Sequence, residues 1–351
     1  MVTYSSMIIL SGDIGGTHTR LRLIEFADSK NDNVFKIINN AVYSNTDFTN
    51  FTEILDIFFS KTEIVNNQVR GVCLGVAGPI IEGTVKFTNL PWTVKTSIIQ
   101  EKLSLEQVIL LNDFTAIGYG LETLQPNELV ILQPGKPDHN AIKAYIGAGT
   151  GLGIGFISHH RGTPKVYPTE GGHIDFAPTN DEQIELLKFL RTKHHRISFE
   201  RIVSGPGLVN IYHFVRSCPR ADEIENPQLA SLAETGSKDF AAVISEHALE
   251  HHDPMAQRAL DIFIAVYGAA VGNLALTTLP FGGLYIVGGI APKLLSQIKG
   301  ATFSKSFGDK GRMSKLLEDI PIYVVLCTEV GIRGAALYAK KLALDQVTLN
   351  P

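Results

Sequence analysis

The residues able to do chemistry fall into short clusters punctuated by glycine. Gly12-Asp13-Ile14-Gly15-Gly16-Thr17 follows the apolar run Met7 to Leu10. Glycines in such a turn let backbone N–H groups come close to phosphate oxygens. Thr17 adds a hydroxyl, and Asp13 brings a carboxylate to where a Mg2+ ion beside those phosphates would be held through water. A plain hairpin turn uses the same residue types. A second cluster, Gly147-Ala148-Gly149-Thr150-Gly151-Leu152-Gly153-Ile154-Gly155, has glycine at every other position. It matches neither the dinucleotide fingerprint nor a Walker A loop. Its bare backbone face suits a second phosphate contact or, equally, close packing within a sheet. A third cluster is an apolar strand running from Gly282 into Gly288-Gly289. Adenine or ribose could lie there, beyond the carboxyl end of the strand; a Gly-rich helix start would read the same way.

Acceptor chemistry needs other side chains. Asn112-Asp113-Phe114 closes the apolar run Val108 to Leu111. A carboxylate on a rigid strand end can take the proton of an acceptor hydroxyl as a phosphoryl group arrives. Asn-Asp also suits the N-cap of a helix over residues 115–121, and the two roles are compatible. Glu170-Gly171-Gly172-His173, Glu200 and Asn112 supply the carboxylates, imidazole and amide needed to discriminate the vicinal hydroxyls of a neutral hexose. A Gly-Gly turn with exposed polar flanks is the plainer reading of the same residues. Glu and His three apart also make half of a metal site, but no second such pair lies nearby. In Phe87-Thr88-Asn89-Leu90-Pro91-Trp92, Asn89 is the candidate hydrogen-bonding residue toward a sugar, and the single tryptophan packs.

Positioning these groups requires strands mixed with helices. Residues 7–10, 21–24, 69–76, 108–111, 142–146 and 154–158 read as strands, residues 48–61 as a helix, and the class is α/β. Strand, glycine-rich turn and strand occur twice, which suggests two similar lobes. Residues 133–140 form a turn-rich loop, and residues 221–236 read as a polar segment. The apolar stretch 262–272 is too short to span a bilayer and reads as a core helix.

Bulk composition narrows the function class. The chain has 351 residues, a net charge of −4 and 19% charged residues. That balance speaks against a protein that grips nucleic acid or an anionic membrane. Three widely spaced cysteines, Cys73, Cys218 and Cys327, fit a reducing compartment and buried thiols. The opening residues carry no cation and only a four-residue apolar run, so a cytoplasmic location is expected.

As an ordered set, the motifs resemble the bacterial glucokinases. The matching segments include Gly12 to Thr17, Gly75-Val-Ala-Gly-Pro79, Thr88-Asn89, Leu111-Asn-Asp-Phe-Thr-Ala116, Gly147 to Gly153 and Glu170-Gly-Gly-His-Ile-Asp-Phe-Ala-Pro178. Further matches are Glu200 to Tyr212, Gly288-Gly-Ile290 and Lys310-Gly-Arg-Met-Ser314. The resemblance implies a two-lobed actin/hexokinase-like (ribonuclease H-like) ATPase fold with a cleft between the lobes. The small lobe would hold residues 1–115 with a returning helix at about 329–344, and the large lobe residues 116–328. It implies ATP- and Mg2+-dependent phosphorylation of D-glucose at the 6-hydroxyl, with Asp113 as catalytic base. Asn89, Asn112, Asp113, Glu170, His173 and Glu200 would bind the sugar. Gly12, Asp13, Ile14, Gly15, Gly16, Thr17, Gly149, Thr150, Gly151, Gly288 and Gly289 would bind the nucleotide. A homodimer with small-molecule substrates is expected. A kinase for another hexose or an N-acetyl sugar, or a non-catalytic sugar sensor, are the alternatives on the same fold. The related repressor/kinase family carries a cysteine-rich zinc motif after its Glu-x-x-His; no cysteine stands there in this chain, and no helix-turn-helix segment precedes Ser11.

Overall fold

In the computed structural model, residues 6–26, 35–65, 68–87, 90–160, 162–237 and 239–349 are described. The chain divides into two units, Met1–Gln125 with Cys327–Pro351, and Pro126–Leu326.

In the first unit, β1 (Met7–Ile14) turns back into β2 (His18–Phe26), and β2 pairs with β3 (Phe35–Ser44), all antiparallel. β4 (Val69–Val76) runs parallel to β1 on its other side. A small antiparallel sheet follows, made of β5 (Ile80–Ile81), β6 (Thr84–Lys86) and β7 (Thr93–Lys95). β8 (Val108–Asn112) then joins parallel to β4, giving the order β3-β2-β1-β4-β8. The second unit contains β9 (Leu129–Gln133), β10 (Lys143–Ala148), β11 (Leu152–His160), β12 (Thr163–Thr169), β13 (Gly283–Val287) and β14 (Ile322–Val325). Their order is β12-β11-β10-β13-β14-β9. Its first five positions repeat the first sheet: a three-stranded antiparallel meander, then two parallel strands. The internal repeat therefore lives in topology, and β9 is an added antiparallel edge.

Each sheet buries apolar residues on its faces. In the first unit, Leu10, Leu21, Leu23, Val72 and Leu74 pack on one face with helix Phe51–Ser60 and with Trp92, whose Nε1 donates to the Phe48 carbonyl at 3.1 Å. Tryptophan is thus a packed residue, as its Pro-flanked context suggested. The opposite face, with Met7, Ile9, Ile24, Phe26 and Cys73, is covered by Ala335, Ala336, Ala339 and Ala343 of the C-terminal helix Val330–Leu349. The approach is close: a Cβ on Gly71 would lie 2.5 Å from the Ala339 carbonyl oxygen. Just before that helix, Glu329 Oε1 meets the nearly buried Arg22 guanidinium at 2.5 Å, and Arg22 Nε donates to Asn40 Oδ1. The ion pair holds the Glu329 carboxyl below its usual pKa.

Four expectations need correction. Strand β1 does not stop at Leu10 but runs through Ile14, because both its edges are paired, with β2 and with β4. The polar segment 221–236 contains a helix, Pro227–Thr235, capped by the Asn226 side chain, opened by proline and closed by Gly236 at φ 68°. The apolar stretch 262–272 belongs to a 25-residue helix, Pro254–Thr278, long and apolar enough to cross a membrane by length and composition. It is nonetheless a core helix, since 78% of its most apolar window is buried. Finally, Cys218 is exposed and Cys327 half-buried; only Cys73 is a buried thiol.

The C-terminal helix also crosses helix Asp113–Gly120 at glycines. A Cβ on Gly334 would sit 1.8 Å from the Ala116 carbonyl oxygen, and one on Gly120 would sit 1.9 Å from that of Val330. Helix propensity alone favours Gly334→Ala by about 1 kcal/mol. The backbone clash reverses that sign, and a loss of about 1–3 kcal/mol or more is expected in urea unfolding. A gain in stability would show that the two helices are free to part.

Candidate functional site

The first unit gathers one half of the residues singled out above. Gly12 lies inside β1, where a Cβ would meet Leu74 Cδ2 at 2.6 Å and Leu21 Cδ2 at 2.8 Å. Its lack of a side chain serves the sheet, and the turn itself is Gly15-Gly16-Thr17. The Gly15 N–H donates to the His18 carbonyl at 3.0 Å, and the space beside Gly16 is open. Behind the turn stands Asn45, which sequence reasoning missed. Its N–H donates to the Thr17 carbonyl at 2.8 Å and its Nδ2 to the Gly15 carbonyl at 2.9 Å, while its Oδ1 accepts from Thr19 Oγ1 at 2.7 Å. A buried asparagine bonded in this way through both of its amide atoms and its backbone N–H fixes the turn's shape. The only advance signal was an Asn placed soon after a strand.

Parallel pairing brings the two aspartates to one sheet edge. Ile14 pairs with Val76, and Val76 with Asn112, so β1, β4 and β8 end in register. Gly75 fits between them: a Cβ there would lie 3.4 Å from Ala116 Cβ, 3.6 Å from the Gly12 carbonyl oxygen and 3.8 Å from Asp113 Cα. Asn112 caps the helix that begins at Asp113, its Oδ1 accepting from the Phe114 and Thr115 N–H groups at 3.0 and 3.2 Å. The Asp113 carboxylate also accepts from Phe114 N–H, at 2.8 Å. The cap and carboxylate roles of Asn112-Asp113 therefore coexist.

Electrostatics at this edge is strained. Burial pushes the Asp113 carboxyl above the usual carboxylate range, partly offset by the Phe114 N–H. Asp13 is pushed up by burial and further by the charge of Asp113. Arg20, directly opposite Asp13 in the β1–β2 register, pulls it back down. Arg20 is a second residue the sequence reading missed; its position seven after Asp13 across a tight hairpin was the available clue. Two desolvated carboxylates that repel each other fit a divalent cation, which would relieve both terms. Among the described residues no three His, Cys, Asp or Glu side chains converge as a metal site. A cation at Asp13 would thus draw most of its ligands from phosphate and water, as Mg2+ does.

The second unit gathers the other half. Gly149 N–H donates to the Gly151 carbonyl, and Gly205 N–H to the Gly149 carbonyl, both at 2.8 Å, closing the turn between β10 and β11. β10 and β13 are parallel, and Gly288, at φ 87°, continues past β13. A Cβ on Gly288 would lie 2.7 Å from the Ala148 carbonyl oxygen, whereas Gly149 and Gly289 face open space. The second and third glycine clusters are therefore neighbours. Thr150 is exposed on the turn. Glu170 precedes the short 3-10 turn Gly171–His173, and Glu200 lies in another, Phe199–Arg201. His173 stands between the two carboxylates, Nε2 at 3.7 Å from Glu170 Oε2 and Nδ1 at 3.8 Å from Glu200 Oε1. These lengths leave the three groups free to bond a ligand instead of one another. Asn89 lies outside the described residues.

A two-lobed actin/hexokinase-like fold, with paired glycine turns and polar side chains at strand ends, defines the class as a sugar kinase. Comparison sharpens this: residues 10–342 match the family model described as Glucokinase, and the chain belongs to that family. It is 44% identical over 347 residues to the glucokinase of Nostoc punctiforme, covering 95% of this chain and 99% of that one. It is 38% identical over 346 residues to the glucokinase of a Synechocystis species, with 94% and 97% covered. A crystal structure of glucokinase from an Antarctic psychrotroph superposes with a TM-score of 0.76 at 31% identity, covering 95% of this chain and 99% of that one.

A stability prediction follows from the raised carboxyls. A group whose folded pKa exceeds its unfolded value costs stability at pH values above the folded pKa, and that cost vanishes as pH falls below the unfolded value of about 3.9. Asp113→Asn keeps the Phe114 N–H acceptor and removes the charge. It should resist urea better than the parent at pH 7, with the gain fading toward pH ~4. Equal stability at both pH values would refute the electrostatic strain.

Proposed function

We propose that this chain transfers the γ-phosphoryl group of ATP to the 6-hydroxyl of D-glucose, giving glucose 6-phosphate and ADP. The observation that carries the reading is Asp113. It is a partly buried carboxylate, held on a strand end by a capped helix start and raised in pKa toward the range useful for a general base. The Glucokinase family match supplies the substrate class.

Asn112, Asp113, Glu170, His173 and Glu200 hold the sugar, with Asn89 added by resemblance alone. Asp113 accepts the 6-hydroxyl proton; the oxygen then bonds the γ-phosphorus as the bond to the β–γ bridging oxygen breaks and ADP departs. Gly16 and Thr17 in one unit, and Thr150 and Gly151 in the other, offer backbone N–H groups and hydroxyls to phosphate oxygens, while Gly15 and Gly149, whose own N–H groups bond within the turns, shape them. Gly12, Asp13 and Ile14 carry that turn from β1. Gly289 leaves room for the adenosine, and Gly288, packed on the Ala148 backbone, sets its position beside the second turn. Asp13 would hold Mg2+, which when bound neutralises phosphate charge. Most of the acceleration in such reactions comes from positioning and charge stabilisation, with the base contributing a smaller share.

Two measurements test this. Asp113→Asn should lower kcat by ~10²–10⁴-fold while glucose still binds; near-normal turnover would remove Asp113 from the mechanism. In a coupled ADP assay over glucose, mannose, fructose and N-acetyl sugars, the parent should prefer glucose. Glu170→Gln and His173→Ala should narrow that preference by about 10-fold or more with smaller effects on the KM for ATP. A change confined to ATP would move both residues to another site.

A further inference from the structure

The sugar-side carboxylate Glu200 has two different tasks, one for each oxygen. Oε1 faces His173. Oε2 accepts the Leu152 N–H at 3.0 Å, at the point where the glycine turn re-enters β11. The carboxylate lies so close to that turn that a Cβ on Gly151 would be 2.6 Å from Oε2. The other backbone polar group of Leu152, its carbonyl, is closely approached as well. A Cβ on Gly172, between Glu170 and His173, would sit 1.9 Å from the Leu152 carbonyl oxygen. Leu152 itself is buried. The backbone around Glu200 is tied to the same turn, since Ser204 Oγ donates to the Glu200 carbonyl at 2.7 Å and Gly205 N–H donates to Gly149.

We infer that Glu200, acting through the Leu152 peptide, is a positioning residue that couples sugar binding to the shape of the Gly149–Gly151 turn, so that each substrate raises the enzyme's affinity for the other. This rests on the reading above, in which Glu200 meets the sugar and the turn meets the nucleotide. A sugar hydroxyl that bonds Oε1 orients the carboxylate and thereby the Leu152 N–H that Oε2 holds. A phosphate that orders the turn fixes the same N–H from the other side. By linkage the effect must be equal in both directions. The open space at Gly149 against the crowding at Gly151 makes two neighbouring glycines of one turn behave differently.

The test compares Gly151→Ala with Gly149→Ala by calorimetry, titrating glucose with and without a non-hydrolysable ATP analogue and Mg2+. In the parent, the analogue should tighten glucose binding by about 5-fold or more, within the usual span of coupling between sites. Gly151→Ala, a change in the nucleotide turn, should push the Glu200 carboxylate aside. Glucose binding should weaken by about 10-fold even with no nucleotide present, and the coupling ratio should fall to one. Gly149→Ala, whose added methyl meets open space rather than Glu200, should weaken nucleotide-free glucose binding far less than Gly151→Ala does. Glu200→Gln, which keeps an acceptor oxygen for Leu152, should retain part of the coupling where Glu200→Ala abolishes it; this series remains informative if the alanine at 151 fails to fold. Unchanged glucose affinity in Gly151→Ala, or a parent coupling ratio of one, overturns the inference while leaving the kinase reading intact. A parent protein that binds no glucose at all overturns the reading itself.

Discussion

Parallel strand pairing in register is the constraint on which the rest depends. Because β1, β4 and β8 end at the same level, Asp13 and Asp113, 100 positions apart in the chain, emerge at one edge of one sheet. The same rule in the second unit sets the ends of β10 and β13 side by side and makes neighbours of two glycine clusters well separated in sequence. Glycine makes this register tolerable. At Gly288 the backbones approach closer than a side chain allows, since a Cβ there would lie 2.7 Å from the Ala148 carbonyl oxygen. Replacing that glycine would shift the strand end, and the chemistry with it, even though it has no functional group.

Burial of like charges is the cost of this arrangement. Asp13 and Asp113 are held where water cannot fully solvate them, and only Arg20 and a few N–H groups compensate. A folded protein selected for stability alone would neutralise one of them. Keeping both charges in one desolvated edge is the pattern expected where stability has yielded to a reactive site.

Much of the site was legible in the sequence because its residues stand where apolar runs end. Asn112-Asp113 after Val108 to Leu111, and Gly288-Gly289 after Tyr285 to Val287, announce strand ends by composition alone. What the sequence hid was the reason for individual glycines. Gly12 reads as a phosphate glycine by motif but is demanded by Leu74 and Leu21 packed over it. Gly151 reads the same way but is demanded by Glu200. Such contacts join residues far apart in the chain, and no local pattern encodes them. Asn45 and Arg20 were missed for the same reason, since their partners are fixed by hairpin register. The helix Pro227–Thr235 was missed for another: only one of its residues, Leu229, is buried, so the apolar periodicity that reveals helices is faint.

The first unit is assembled from both ends of the chain, and this shapes its birth on the ribosome. Its sheet can pair as soon as residues up to Asn112 have emerged, yet the apolar face of Met7, Ile9, Ile24 and Phe26 finds its cover only in the alanines of the last helix. Between the two lie roughly 200 residues of the second unit, about 10–40 s of synthesis at ordinary elongation rates. For that interval the sheet of the first unit lacks the helix that covers its second apolar face. How long that face waits for its cover during translation is therefore written into the order of the segments, independent of how stable the completed enzyme becomes.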